Sequence, residues 1–227
     1  MRGWAIAFVL VLCGKLCGQS TASVGRPFDF KDVHLGMQLS EFKVVMAGDT
    51  VWVNTGKPNI FGHASKKYNK QVPTPLCTDT MREFPGDIPD LKDGEVLCNP
   101  SPGYANQDRL TVMGLQLESA IYRFYKSRLY EIDITASPSL FEVLQYGFRT
   151  KYGAPRSATT SSYQNGFGAS WTGQNLYWER GRESIIFTEG PGNGPGQSAA
   201  TEPHPSSAMF LDADLQPPPE KPAPLDF

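Results

Sequence analysis

The sequence predicts an α+β protein: an antiparallel sheet with two helices packed on it, and a loop-rich insertion tied by a disulfide. Three observations carry that expectation. Apolar and polar residues alternate from Tyr122 to Ile134 around a break at Lys126-Ser127-Arg128, the period of a half-buried strand pair. Phe141, Leu144, Phe148 and Tyr152 fall at i, i+3, i+7 and i+11, one continuous helical stripe. "GASWTGQNLYWERGRESIIFTE" reads as three further strands punctuated by glycine turns. With 227 residues, 40% of them hydrophobic and 19% charged, the chain has material for a core and no densely charged surface.

Residues 1–22 have the layout of a secretory signal. Arg2 precedes an apolar run from Trp4 to Cys13, and Ser20-x-Ala22 offers a small-residue cleavage site. The run falls short of the roughly 20 apolar residues of a membrane span, so no transmembrane segment is expected after signal removal. Leu12 and Leu16 precede Cys13 and Cys17, where a lipidation site needs a small residue. Loss of Arg2 and Lys15 takes the net charge from −2 to −4. Such a chain lacks the clustered basic charge of a nucleic-acid binder.

Residues 23–189 are expected to form a single domain. In its first part, "FDF" has strand alternation, Ser40 stands as a helix N-cap with Glu41 in the first turn, and Gly48 ends that helix. Phe42, Val45 and Met46 share its apolar face. Residues 49–109 are a loop-rich region, with "NTGKPN", "VPTPLC", "FPGDIPD" and "NPSPG" as turn chemistry and Val51–Val53 as a short strand. Cys77 and Cys98, the two cysteines left after signal removal, are expected to pair in an oxidising compartment.

"LTVMGLQLE" reads as a strand leading into the hairpin. A three-residue loop at Lys126–Arg128 places Phe124 opposite Tyr130, Tyr122 opposite Ile132, and Arg123 opposite Glu131 on the other face. The second helix starts at Ser137-Pro138, or one turn later at a Ser139/Glu142 capping box, and stops at Gly153 before Pro155. Gly173-Gln174 and Gly181 mark two turns among the strands after that helix. Residues 190–227, with nine prolines, read as a Pro/Gly-rich disordered tail, a spacer or docking strip.

"LGMQLSEF" at 35–42, "YRFYKSRLYEIDI" and "LFEVLQYGFRTKYGAP" together resemble a group of exported bacterial proteins with folds like that of the β-lactamase inhibitor protein. That resemblance implies a leading helix and a later helix packed on antiparallel sheet, and a binding or assembly role more than an enzymatic one. The matching residues are caps and packing positions, and no site residue carries over.

The chemistry-bearing residues are few. His34, His63 and His204 are the three histidines, and there is no HExxH, Gly-x-Ser-x-Gly or phosphate-cradling glycine loop. Ser170 lies between glycines at the wrong spacing for a nucleophile elbow. Glu131 and Asp133 share a strand face opposite Arg123, which reads as the solvent side of a half-buried sheet. Trp171, Tyr177 and Trp178 offer a possible sugar- or peptide-binding surface, although Tyr177 and Trp178 must point to opposite faces of one strand. The sequence therefore predicts an exported, non-catalytic binding or assembly module without cofactor or metal, its partner an envelope protein or glycan. An envelope glycan or peptide hydrolase is the alternative, and a spacer acting through its proline-rich tail is a third reading.

Overall fold

A computed structural model describes residues 27–54, 69–79, 91–101, 107–164, 170–190 and 205–219. The predicted signal lies outside them, as do His63 and His204. Sheet dominates, with two short helices. Four strands come early: β1 (Asp29–Phe30), β2 (Val33–His34), β3 (Gly48–Asn54) and β4 (Asn69–Thr74). They form two small antiparallel pairs, β1 with β2 and β3 with β4. Helix α1 (Leu39–Val45) separates the pairs. β5 (Leu76–Thr78) and β6 (Glu95–Asn99) join the main sheet. β7 (Thr111–Val112) and β8 (Leu115–Gln116) make a third small hairpin. The rest of the main sheet is β9 (Ser119–Tyr125), β10 (Arg128–Ala136), β11 (Ser157–Gln164), β12 (Ser170–Arg180), β13 (Glu183–Thr188) and β14 (Ser206–Asp212), and helix α2 (Phe141–Tyr152) lies between β10 and β11. The order across the eight strands is β11-β12-β13-β14-β10-β9-β6-β5, and every pairing is antiparallel.

The largest correction concerns the expected tail. Ser206–Asp212 is a central strand of the sheet, paired with β13 on one side and β10 on the other. The domain therefore runs past residue 189. Its inner face carries Ser206, Ala208, Phe210 and Asp212, all buried. Phe210 meets Phe148, Tyr152 and Phe30 at ring-centroid distances of 5.7, 6.0 and 6.1 Å. An apolar quartet, Ala208–Leu211, suits a strand flanked by neighbours on both edges.

Both helices lie on one face of the sheet, the inner face. Phe42 of α1 packs on Tyr122 and Phe124, and Phe141 and Phe148 of α2 pack on Phe187. The stripe predicted for α2 is the buried one: Phe141, Leu144 and Phe148 are buried, and Tyr152 packs against them. Gly153 caps the helix at φ 85°, with its N–H on the Arg149 carbonyl, a conformation that disfavours any residue with a Cβ. The predicted caps at Ser40 and Ser139 do not form. Ser40 lies inside α1 behind an N-cap at Gln38, and the α2 N-cap position is Leu140 after a 3₁₀ turn at Pro138–Leu140. Gly48 opens β3 instead of ending α1.

The loop-rich reading of 49–109 holds only in part. Val51–Val53 belongs to β3, and β5 and β6 extend the main sheet. The disulfide joins Cys77 to Cys98, directly opposite one another in the β5–β6 ladder with Cα atoms 4.1 Å apart. "LTVMGLQLE" folds on itself as the β7–β8 hairpin with a turn at Met113–Gly114, and does not enter the sheet. Gly173-Gln174 is not a turn either. β12 runs straight through it, with Gly173 opposite Ser161 of β11. The turn at Gly181 is present, with φ 63°.

Candidate functional site

The β9–β10 hairpin explains how polar groups gather on the outer face of the sheet. Its tip is a two-residue loop, Lys126–Ser127, both residues at positive φ (48° and 65°). Leu129 pairs with Phe124, and a β-bulge at Tyr130 then restores the predicted register of Arg123 with Glu131 and Tyr122 with Ile132. The predicted three-residue loop and the Phe124–Tyr130 pairing are thus replaced by a tighter turn plus a bulge. A bulge of this kind sends two successive side chains to the same face. Tyr130 and Glu131 both project outward beside Arg123, and all three line one cleft.

That cleft encloses about 440 Å³ and is completed by Lys92, Glu95, Met209, Leu211, Gln216 and Pro217. The outer face here is not the solvated surface that the alternation predicts. The side chains of Arg123 and Glu131 are only 13% and 17% exposed. Arg123 Nε lies 2.8 Å from Glu131 Oε1 and 3.6 Å from Asp133 Oδ2, yet it aligns with neither oxygen as a hydrogen-bond donor. Tyr130 Oη donates to Glu95 Oε1 at 2.5 Å, and the Lys92 N–H donates to Glu95 Oε2 at 2.5 Å.

Burial pushes the Glu131 carboxyl up to about 8, with help from the Asp133 charge and a hydrogen bond to Asp133, against the pull of Arg123. Burial also pushes the Tyr130 phenol well above its ordinary value, reinforced by its hydrogen bond to Glu95. Burial thus favours the protonated form of Glu131 more than in an ordinary carboxyl. Glycoside hydrolysis needs two carboxyls about 5–9.5 Å apart with a sugar between them, whereas here the space between the Glu131 and Asp133 carboxyls is taken by Arg123, whose Nε lies 2.8 and 3.6 Å from them. The cluster holds the Arg123 guanidinium between two carboxyls.

Beside the cleft, one row of the outer face runs in register across five strands. Tyr177 stands opposite Ile186, Ile186 opposite Met209, Met209 opposite Asp133, and Asp133 opposite Ile121. Ile186 is 36% exposed, and Tyr177, Met209 and Ile121 are half-buried. Of the three aromatic residues predicted as a binding surface, only Tyr177 is shown on this row. Trp178 is a core residue: it is 2% exposed, its ring lies 6.0 Å from Phe148, and its Nε1 donates to the Gly153 carbonyl. The backbone of Trp171 pairs with Tyr163 in the β11–β12 ladder, and its side chain lies outside the described set. Ile186 and Met209 escaped the sequence reading. Continuous apolar runs at Ile185–Phe187 and Ala208–Leu211 hide which side chains face out, and only the strand register separates them.

His34 stands across the β1–β2 ladder from Asp29. The Asp29 carboxylate is engaged by Lys151 at 2.8 Å. Ser170 pairs with Gln164 at the end of β12. No group of three metal-ligating side chains occurs among the described residues, and none of their helices is long and apolar enough to cross a membrane. No protein-family profile, curated protein or solved structure matches the chain.

Proposed function

We propose that this chain is an exported, non-catalytic binding module that engages an envelope protein through the outer face of its sheet. The reading rests on the Tyr177–Ile186–Met209–Asp133–Ile121 row. Both helices are committed to the inner face, and this row keeps apolar side chains partly in water on four strands. Contiguous exposed apolar surface on a soluble domain is characteristic of a partner-binding site. Asp133 within the row and the half-buried Arg123 beside it supply the polar groups that fix orientation and register. Export draws support from the signal-like start and the Cys77–Cys98 disulfide.

Affinity capture from the producing cell tests the reading. Wild-type protein and Val44→Asp should retain the same envelope protein, because Val44 is 77% exposed on α1 and away from the outer face. Ile186→Asp should lose it while keeping its melting temperature within a few degrees. Retention by Ile186→Asp, or equal loss from both variants, contradicts the proposal. Capture of cell-wall glycan in place of a protein would assign the face to a different class of partner.

A further inference from the structure

A second cavity lies on the other side of the sheet, unconnected with the outer-face reading. It encloses about 310 Å³. Leu144, Phe148 and Tyr152 line it from α2, Phe30 from the end of β1, and Val112 and Met113 from the β7–β8 hairpin. Its size and predominantly apolar walls match the lower end of small-molecule sites.

Gly147 explains why the space exists. It sits inside α2, where glycine costs about 1 kcal/mol relative to alanine, and its backbone is not among those at positive φ. What it provides is room: a Cβ at this position would lie 3.2 Å from Met113 Sδ. Met113 is 60% exposed, a large flexible apolar side chain of the kind that adapts to an irregular occupant.

The charged groups around the cavity are unequal. Lys31 and Lys151 line it. Lys151 Nζ is neutralised by Asp29 Oδ2 at 2.8 Å. Among the described residues Lys31 Nζ donates to the Asp108 carbonyl, while the Asp108 carboxylate lies 4.0 Å from Arg109 Nε. Among the described residues, Lys31, Lys151 and Arg109 thus face Asp29 and Asp108, and Lys31 is the one of the three with no carboxylate within 4.0 Å. Burial lowers its pKa, partly offset by the charge of Asp108, as for an ammonium drawn partly out of water.

We propose that this cavity binds a single-chain amphiphile, its apolar chain lying against α2 beneath the hairpin and its anionic carboxylate or phosphate end on Lys31. An alkyl chain matches the apolar walls, and an anion supplies the charge that Lys31 lacks.

Calorimetric titration of the full chain with decanoate, decyl phosphate and decyltrimethylammonium tests it. One or both anions should bind at one site per chain, at least tenfold more tightly than the cation, and the tighter anion identifies the head group. Lys31→Gln should remove that preference. Met113→Trp should weaken all binding at least tenfold by filling the space from an exposed position, and Gly147→Leu should do so from the helix. Melting curves confirm that each variant is folded. Equal binding of cation and anion, absence of saturable binding, or unchanged affinity in folded Met113→Trp and Gly147→Leu would each overturn the proposal.

Discussion

The ring of Phe210, near the C-terminal end of the chain, stands edge-on to the ring of Phe148 in α2, with centroids 5.7 Å apart and planes at 78°. Phe148 in turn contacts Trp178, Phe187 and Tyr152. The late strand thereby closes the aromatic centre between α2 and the middle of the sheet. Such pairs each contribute about 0.5–1.5 kcal/mol beyond the area that they bury.

Phe210→Ala should therefore cost about 3–5 kcal/mol, the usual range for a buried phenylalanine. A chain ending at Glu189 should fail to fold cooperatively, because β13 and β10 would lose the strand between them. Chemical denaturation reads both. A truncated chain with an unchanged midpoint would show that β14 is an accessory.

The sequence shows some of this architecture and hides the rest for identifiable reasons. The α2 stripe is legible because four apolar residues repeat at helical spacing over eleven positions. The Arg123–Glu131 pairing is legible because both hairpin faces alternate. Compensation between a shorter turn and a bulge at Tyr130 is invisible to alternation alone, and with it the outward placement of Tyr130. β14 is masked by its surroundings: seven residues with strand character sit among nine prolines, and an average over the segment reports the prolines. Burial of Arg123 and Glu131 depends on Met209, Leu211 and Pro217 from that same strand and the chain beyond it, so misreading the tail also misreads the cleft.

Stability should fall as pH rises from about 4.5 to about 8. Glu131 is pushed up to about 8 in the folded protein, while in the unfolded chain it has the ordinary glutamate value of about 4.3. Between the two values folding takes up a proton, so the stabilising contribution is complete below the unfolded value and lost as pH passes through the folded one. Glu183, also raised chiefly by burial, adds a slope of the same sign. Thermal melts from pH 5 to pH 8.5 should show the decline, and Glu131→Gln should flatten it without abolishing it. An unchanged slope in Glu131→Gln would move the effect elsewhere.

Arg182→Ala should destabilise by more than an ordinary surface substitution. Arg182 Nε lies 3.0 Å from Asp212 Oδ2, and the Asp212 side chain is fully buried. Removing the partner of a buried charge costs about 3–5 kcal/mol, and the half-exposed position of Arg182 places this case at or below the lower end. Urea denaturation at pH 7 measures it. A loss under about 0.5 kcal/mol, typical of surface positions, would show that Asp212 is held by other groups.

Gly153→Ala should cost about 1–3 kcal/mol, because φ 85° with ψ −169° is a backbone region that is essentially glycine's alone. No atom lies within 4 Å of the Cβ that would be added, so the loss is conformational and not steric. Equal stability of the variant would mean that the helix end relaxes to a negative φ.

If the outer sheet face is where this module meets its partner, the partner must lie within reach of Ile186 in the producing cell. A photo-crosslinking amino acid placed at Ile186, and separately at Val44, reads that proximity. A discrete adduct with one envelope protein is expected from position 186 and none from position 44. An adduct from position 44 alone, or none from 186 while the same protein still copurifies, would contradict the outer-face assignment.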